Sequence, residues 1–162
     1  MRLLWSKDAL YAGFELTNAG LFSDKTRPTE VERAKLYEED CVELFIGRSL
    51  SEPQRYFEIE VGPLGHFLDL EIDRDKKLSN VDWSSGVKSA ATHDAQKRTA
   101  TIELRLDASD LTSLFEPGRE LPLAVYRMEG QGERQYLAWR PTLTKRPNFH
   151  VPERFGQLVL DP

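Results

Sequence analysis

The sequence predicts an all-β protein, an antiparallel β-sandwich of the immunoglobulin or jelly-roll kind with one or two short helices. Three observations carry this. Apolar residues recur with a period of two in short runs, the pattern of half-buried strands. The runs are separated by clusters of Gly, Pro, Asp and Ser, which favour turns. No long amphipathic helix alternates with the strands, which disfavours a parallel α/β sheet.

Arg2 to Trp5 and Ala9 to Leu16 read as a hairpin around Ser6-Lys7-Asp8, with Leu10, Ala12, Phe14 and Leu16 alternating against Tyr11, Gly13 and Glu15. Asn18 to Thr29 is turn-rich. Thr29-Glu30-Val31-Glu32 offers a capping box for a short helical turn running to about Tyr37. Cys41 to Ile46 is a strand. Tyr56 to Val61 and His66 to Ile72 follow, joined by Gly62-Pro63-Leu64-Gly65; Phe57, Ile59 and Val61 form one apolar set and Leu68, Leu70 and Ile72 another. Asp73 to Trp83 reads as a polar loop. Val87 to Ala91 and Thr99 to Leu106 are strands, with Ala100, Ile102, Leu104 and Leu106 turned inward. Asp107-Ala108-Ser109-Asp110 begins a short helix by N-capping, which Pro117-Gly118 ends. Leu121 to Met128, Tyr136 to Trp139 and Leu158 to Leu160 complete roughly nine strands.

The 162 residues fit one domain spanning 1–162. The balance of 22 basic and 27 acidic residues gives a net charge of −5, with no basic stripe for nucleic acid or anionic lipid. No apolar run of about 18 residues exists to cross a membrane as a helix. Cys41 is the one cysteine, so an internal disulfide is excluded, and its strand setting reads as a small buried apolar residue. Met1-Arg2-Leu3-Leu4-Trp5 runs at once into Ser6-Lys7-Asp8, so no signal-peptide core forms. The chain reads as starting directly on a strand, with a lead-in strand and an export signal expected upstream.

No Ser-His-Asp signature, Gly-rich phosphate loop or His-x-x-x-His pair is present, and we expect no catalysis. One acidic constellation stands out. Glu58 and Glu60 share a face of one strand, and Asp69 and Glu71 share a face of the next. If the intervening hairpin brings those faces together, four carboxylates meet. They then need either arginines, such as Arg105 or Arg127, or calcium, which takes oxygen ligands.

Four segments together resemble the family 9 carbohydrate-binding modules. They are Leu3-Leu4-Trp5 with Ala9 to Phe14, Leu36 to Phe45, Tyr56 to Gly65, and Asn148-Phe149-His150-Val151-Pro152-Glu153-Arg154-Phe155-Gly156. Their order and spacing span almost the whole chain. The resemblance implies a β-sandwich that binds sugars at chain ends, serves polysaccharide breakdown beside secreted or periplasmic glycoside hydrolases, and can carry calcium. It places a sugar ring between two aromatic side chains, which match Tyr37 and Phe149 where tryptophan is typical, and it matches Glu43 to an acidic residue that accepts sugar hydroxyls.

Sugar recognition in general needs a flat apolar face for the ring and charged groups for the hydroxyls. Tyr37, Phe149 and Trp139 offer faces; Glu43, Arg127, Arg140 and Arg146 offer grip. Tyr37 and Phe149 read equally as packing, and Trp139 reads more readily as packing than as a sugar face. The smaller rings at Tyr37 and Phe149 leave open a structural or interaction sandwich that has lost its sugar. Related DOMON-like sandwiches bind haem through Met and His, for which Met128 with His66 or His150 is the available pair.

Overall fold

The computed structural model describes residues 1–17 and 22–161. Part of the turn-rich stretch from Asn18 to Thr29 therefore lies outside the described residues. The strands in chain order are β1 (Arg2–Ser6), β2 (Ala9–Leu16), β3 (Cys41–Gly47), β4 (Arg55–Val61), β5 (Phe67–Asp73) and β6 (Leu78–Asn80). Then come β7 (Lys88–Asp94), β8 (Thr99–Leu106), β9 (Glu120–Glu129), β10 (Gln135–Ala138) and β11 (Gly156–Val159). They form two antiparallel sheets. The smaller has the order β1-β2-β8-β7 and the larger β10-β9-β3-β4-β5-β6, with β11 also pairing β9.

The two sheets pack face to face through their period-2 apolar sets. Leu10, Ala12 and Phe14 of β2 and Ile102, Leu104 and Leu106 of β8 meet Val42, Leu44 and Ile46 of β3 and Phe57, Ile59 and Val61 of β4. Each such fully buried aliphatic or aromatic side chain contributes roughly 1.5–3 kcal/mol of transfer free energy. Trp83 stacks on Phe57 at 4.5 Å and closes one end of this core.

Two expected helices are shorter than the sequence suggests. The turn after Thr29 is a single 3₁₀ turn, Leu36–Glu38, because Thr29 Oγ1 donates to the Glu30 carboxylate and caps no backbone amide. The later helix, α1 (Ser109–Thr112), has Ala108 at its N-cap with no side-chain bond, since the Asp107 carboxylate pairs with Arg105. The expected polar loop after Asp73 also contributes β6, hydrogen-bonded to the edge of β5.

One connection shapes the second face of the large sheet. β9 pairs through its C-terminal half with β10 (Tyr136 opposite Met128, Ala138 opposite Tyr126) and through its N-terminal half with β11 (Gly156 opposite Leu123). The chain leaves this edge after Ala138 and returns at Gly156, and residues 139–155 arch over the face of the large sheet that points away from the sandwich core. The return is tight. A Cβ at Gly156 would lie 2.5 Å from the Trp139 ring, so only glycine fits beneath it. This arch buries the second face of the large sheet, which is why every residue of β3 is buried.

Candidate functional site

Register decides which side chains share that second face. Glu43 lies directly opposite Glu60, and Phe45 opposite Glu58. On the other side of β3, Cys41 faces Met128 and Glu43 faces Tyr126. Directly opposed residues share a sheet face. One face therefore carries Cys41, Glu43 and Phe45 beside Tyr56, Glu58 and Glu60, flanked by Tyr126, Met128 and Tyr136.

The face has two halves. In one, aromatic rings pack densely. Phe45 stacks on Tyr56 at 5.5 Å, meets Tyr126 edge-on at 5.2 Å and lies 5.2 Å from the His150 ring. Phe149 lies flat on Tyr126, with centroids 4.0 Å apart and planes within 4°, and the Tyr126 hydroxyl donates to the Phe149 carbonyl at 3.1 Å. Tyr136 meets the Phe149 edge at 6.2 Å.

The other half holds buried carboxylates. Glu43, Glu58 and Glu60 are 2%, 4% and 1% exposed. Among the described residues no lysine or arginine forms an ion pair with any of them; His150 Nε2, 3.9 Å from Glu58 Oε2, is the nearest cationic candidate. Burial and Arg74 drive that imidazole down to about 4, so it is neutral near pH 7, and its Nδ1 lies 2.8 Å from the Tyr56 hydroxyl. Burial likewise pushes Glu58 up to about 7. Burial, then the charges of Glu43 and Glu58, take Glu60 up to about 10. Burial, then Glu58, hold Glu43 well above the ordinary carboxylate range. Among the described residues Glu58 Oε2 and Glu60 Oε2 have no hydrogen-bond partner.

Between the halves opens a cleft of about 250 Å³. Tyr37, 45% exposed, lines it together with Phe149 and Tyr136. Glu43, Glu58, Met128, Asn148 and His150 line the rest. Tyr37 is held by its backbone: Arg134 donates to the carbonyls of Tyr37 (3.1 Å), Glu38 (2.6 Å) and Glu39 (2.6 Å), clamping the 3₁₀ turn that presents the ring.

Of the residues singled out for sugar contact, Tyr37, Glu43 and Phe149 line this one cleft. Arg127, Trp139 and Arg146 do not. Arg127 sits opposite Val42 on the core-facing side and pairs with Glu129 while donating to the Thr17 carbonyl. Trp139 packs on Gly156, and Arg140 also lies against that glycine. Arg146 lines an adjoining depression that shares Tyr136, Pro147, Asn148 and Phe149 with the cleft.

The four-carboxylate cluster, which would have called for arginines or calcium, does not form. β5 pairs with β4 so that Leu70 faces Glu58 and Leu68 faces Glu60; Asp69 and Glu71 face Ile59 and Phe57 on the opposite side. Asp69 accepts from the Ser85 amide at 2.7 Å and its hydroxyl at 2.5 Å, and Glu71 accepts from Arg48 at 2.5 Å and Asn80 at 3.3 Å. Arg105 and Arg127, the arginines expected to compensate, reach neither pair. The donor atoms of Cys41, Glu43 and Glu60 do lie within 4.8 Å of one another. A thiolate in that set suits zinc and not calcium, but burial and Glu43 raise the Cys41 thiol well above its ordinary range and so oppose thiolate formation.

For the haem pair, Met128 and His150 both line the cleft, while His66 lies elsewhere with Nε2 3.0 Å from the Arg27 carbonyl. His150 Nδ1 lies on the Tyr56 hydroxyl, while Nε2 stands 3.9 Å from Glu58 Oε2, beyond hydrogen-bond distance. Sequence reading missed Tyr136, Asn148 and His150 as cleft residues. The available signal was the adjacency of the last two to Phe149.

The model of the carbohydrate family 9 binding domain-like family matches residues 1–162. The chain belongs to that family. A solved structure of a Bacteroides uniformis protein proposed to bind carbohydrate shares the fold of this family 9-like domain, with a TM-score of 0.70 at 17% identity over 93% of this chain and 72% of that one. No curated protein matches the chain. Among the described residues no helix of the domain is long and apolar enough to cross a membrane.

Proposed function

We propose that this domain is a non-catalytic carbohydrate-binding module whose site is the cleft between Tyr37 and Phe149. The observation that carries the reading is the pairing of aromatic walls with buried carboxylates in one opening of about 250 Å³. The rings offer flat faces to the C–H side of a sugar, and Glu43 and Glu58 offer bidentate groups to its hydroxyls. A protonated carboxyl both donates and accepts, so the raised proton affinity of Glu43 and Glu58 suits hydroxyl recognition near neutrality. The room accommodates about one sugar unit or a chain end. Membership of the family supports carbohydrate as the ligand class.

The test is a calorimetric screen of simple sugars, xylan fragments and cellulose fragments, run with and without calcium. We expect saturable binding that Tyr37→Ala weakens about tenfold or more, the value of one ring face and its excluded water. Because Tyr37 is 45% exposed, the variant should keep its fold. Unchanged affinity in Tyr37→Ala overturns this placement of the site.

A further inference from the structure

We propose that the cleft selects an amino sugar, binding its protonated amine against Glu58 and Glu43 in place of a neutral hydroxyl. The inference rests on the sugar-binding reading and adds the charge of the ligand to it.

The starting point is an imbalance. Three carboxylates lie on one buried patch, Glu43 directly opposite Glu60 and Glu58 one strand repeat away on the same face. Like charges directly opposed across strands are destabilising unless something compensates. Buried polar atoms normally have partners, so each one without a partner calls for an explanation. Here Glu58 Oε2 and Glu60 Oε2 are both buried and unpartnered. Asp69 Oδ1 on the opposite face is also without a partner among the described residues, but there the other oxygen accepts twice from Ser85. Asp40, 6% exposed on the neighbouring rim, accepts from the Phe22 amide at 2.9 Å and the Gly130 amide at 2.7 Å. The domain supplies partners to a buried carboxylate where it needs one for structure.

A cation from outside is the group that fits. No lysine or arginine lines the cleft, and its one histidine is neutral at pH 7. Glu58, 4% exposed, borders the cleft, so its carboxylate lies at the cleft wall. Tyr37, Tyr136 and Phe149 surround the same opening with ring faces and edges, and a cation within about 6 Å of a ring face gains further attraction. A bare metal ion would leave those rings and most of the 250 Å³ unused; a sugar carrying an ammonium group uses both. When the ammonium docks, it stabilises the ionised form of Glu58, which releases its proton to solvent.

The experiment titrates the protein with β-1,4-linked disaccharides of glucosamine, N-acetylglucosamine and glucose, at physiological salt and a pH where the free amine is protonated. We expect the glucosamine disaccharide to bind about tenfold or more tightly than the other two, the gain from one charge-assisted contact. The preference should disappear in Glu58→Gln, with thermal unfolding confirming that this variant is folded. Equal or tighter binding of the neutral disaccharides overturns the amine preference and leaves the sugar site standing. Failure of all three to bind overturns both readings. Amine binding that survives both Glu58→Gln and Tyr37→Ala marks diffuse attraction to an acidic surface and also overturns the proposal.

Discussion

Strands β4 and β5 carry two pairs of carboxylates, and the pairs live in opposite circumstances. Asp69 and Glu71 project toward the sandwich side and are held by Ser85, Arg48 and Asn80. Glu58 and Glu60 project to the arched side, with no arginine or lysine paired to them among the described residues; one oxygen of each has no partner there, as is true of Asp69 Oδ1, but the other Asp69 oxygen takes two bonds from Ser85. One pair is built into the architecture. The other is buried at the expense of stability, with ionisation suppressed, beside an opening to solvent. The contrast separates acidic residues that hold the fold from acidic residues buried beside an opening, and composition cannot separate them.

The strongest way to break the comparison is Asp69→Ala. It removes two short hydrogen bonds and leaves the Ser85 amide and hydroxyl, on a residue with no exposed surface, without an acceptor. A buried orphaned donor costs about 1–3 kcal/mol and each lost charge-assisted bond a similar amount. We expect urea denaturation to report a loss of about 3–5 kcal/mol. A loss under about 1 kcal/mol would mean that Asp69 is no more structural than Glu58.

The arched side should answer in the opposite sense. In the unfolded chain Glu58 titrates near 4.3, whereas in the fold burial moves it up to about 7. The folded state therefore holds the proton more tightly. Its contribution is fully present below the unfolded value and is lost as pH rises through about 7. Glu58→Gln has no such loss. Relative to the native chain, it should gain about 2–3 kcal/mol between mildly acidic and mildly alkaline pH. His150, depressed to about 4, contributes with the opposite sign below its unfolded value, and the difference between variant and native chain largely removes it. A flat difference across that window would show Glu58 to be ionised and partnered in solution.

These two faces also mark where the sequence was readable. The strands were legible because period-2 alternation survives in each, from Leu10-Ala12-Phe14 to Ala100-Ile102-Leu104-Leu106. Tyr37, Glu43 and Phe149 were found through the family resemblance and do share a cleft. The pairing of faces across the β4–β5 hairpin was not legible. Residues 62–66 form the turn, so Val61 meets Phe67 and even-numbered residues face even-numbered ones. A turn shorter by one residue would have joined Glu58 and Glu60 to Asp69 and Glu71, since a slip of one reverses every side chain. Both strands also carry two buried faces, because the 139–155 arch covers the second, and alternation alone does not say which apolar set belongs to which core. Arg127 and Trp139 were misplaced for the same reason. Their chemistry suits a sugar, but strand parity and the tight return at Gly156 turn them elsewhere.

The smallest effect we predict tests how the cleft is supported. Arg134 touches no cleft surface, yet its guanidinium bonds three successive carbonyls of the Tyr37 turn. The turn is short, begins after Lys35 in the left-handed region (φ 62°) and has no side-chain cap; the buried Leu36 and two backbone bonds hold its inner side, and Arg134 holds its carbonyls. Arg134→Ala should reduce stability by about 1 kcal/mol, since the carbonyls are near solvent and water can replace the donor. Sugar affinity should fall about threefold to tenfold, because Tyr37 must then be ordered on binding. Arg134→Lys should restore charge but not the three-way clamp, as an ammonium lacks the planar fork. The readout that separates positioning from general loosening is the double variant. In a Tyr37→Ala background, Arg134→Ala should leave affinity unchanged, since the ring it positions is already gone. A further drop there would place the arginine's effect on Glu43 or Glu58 and link the turn to the carboxylate side of the cleft.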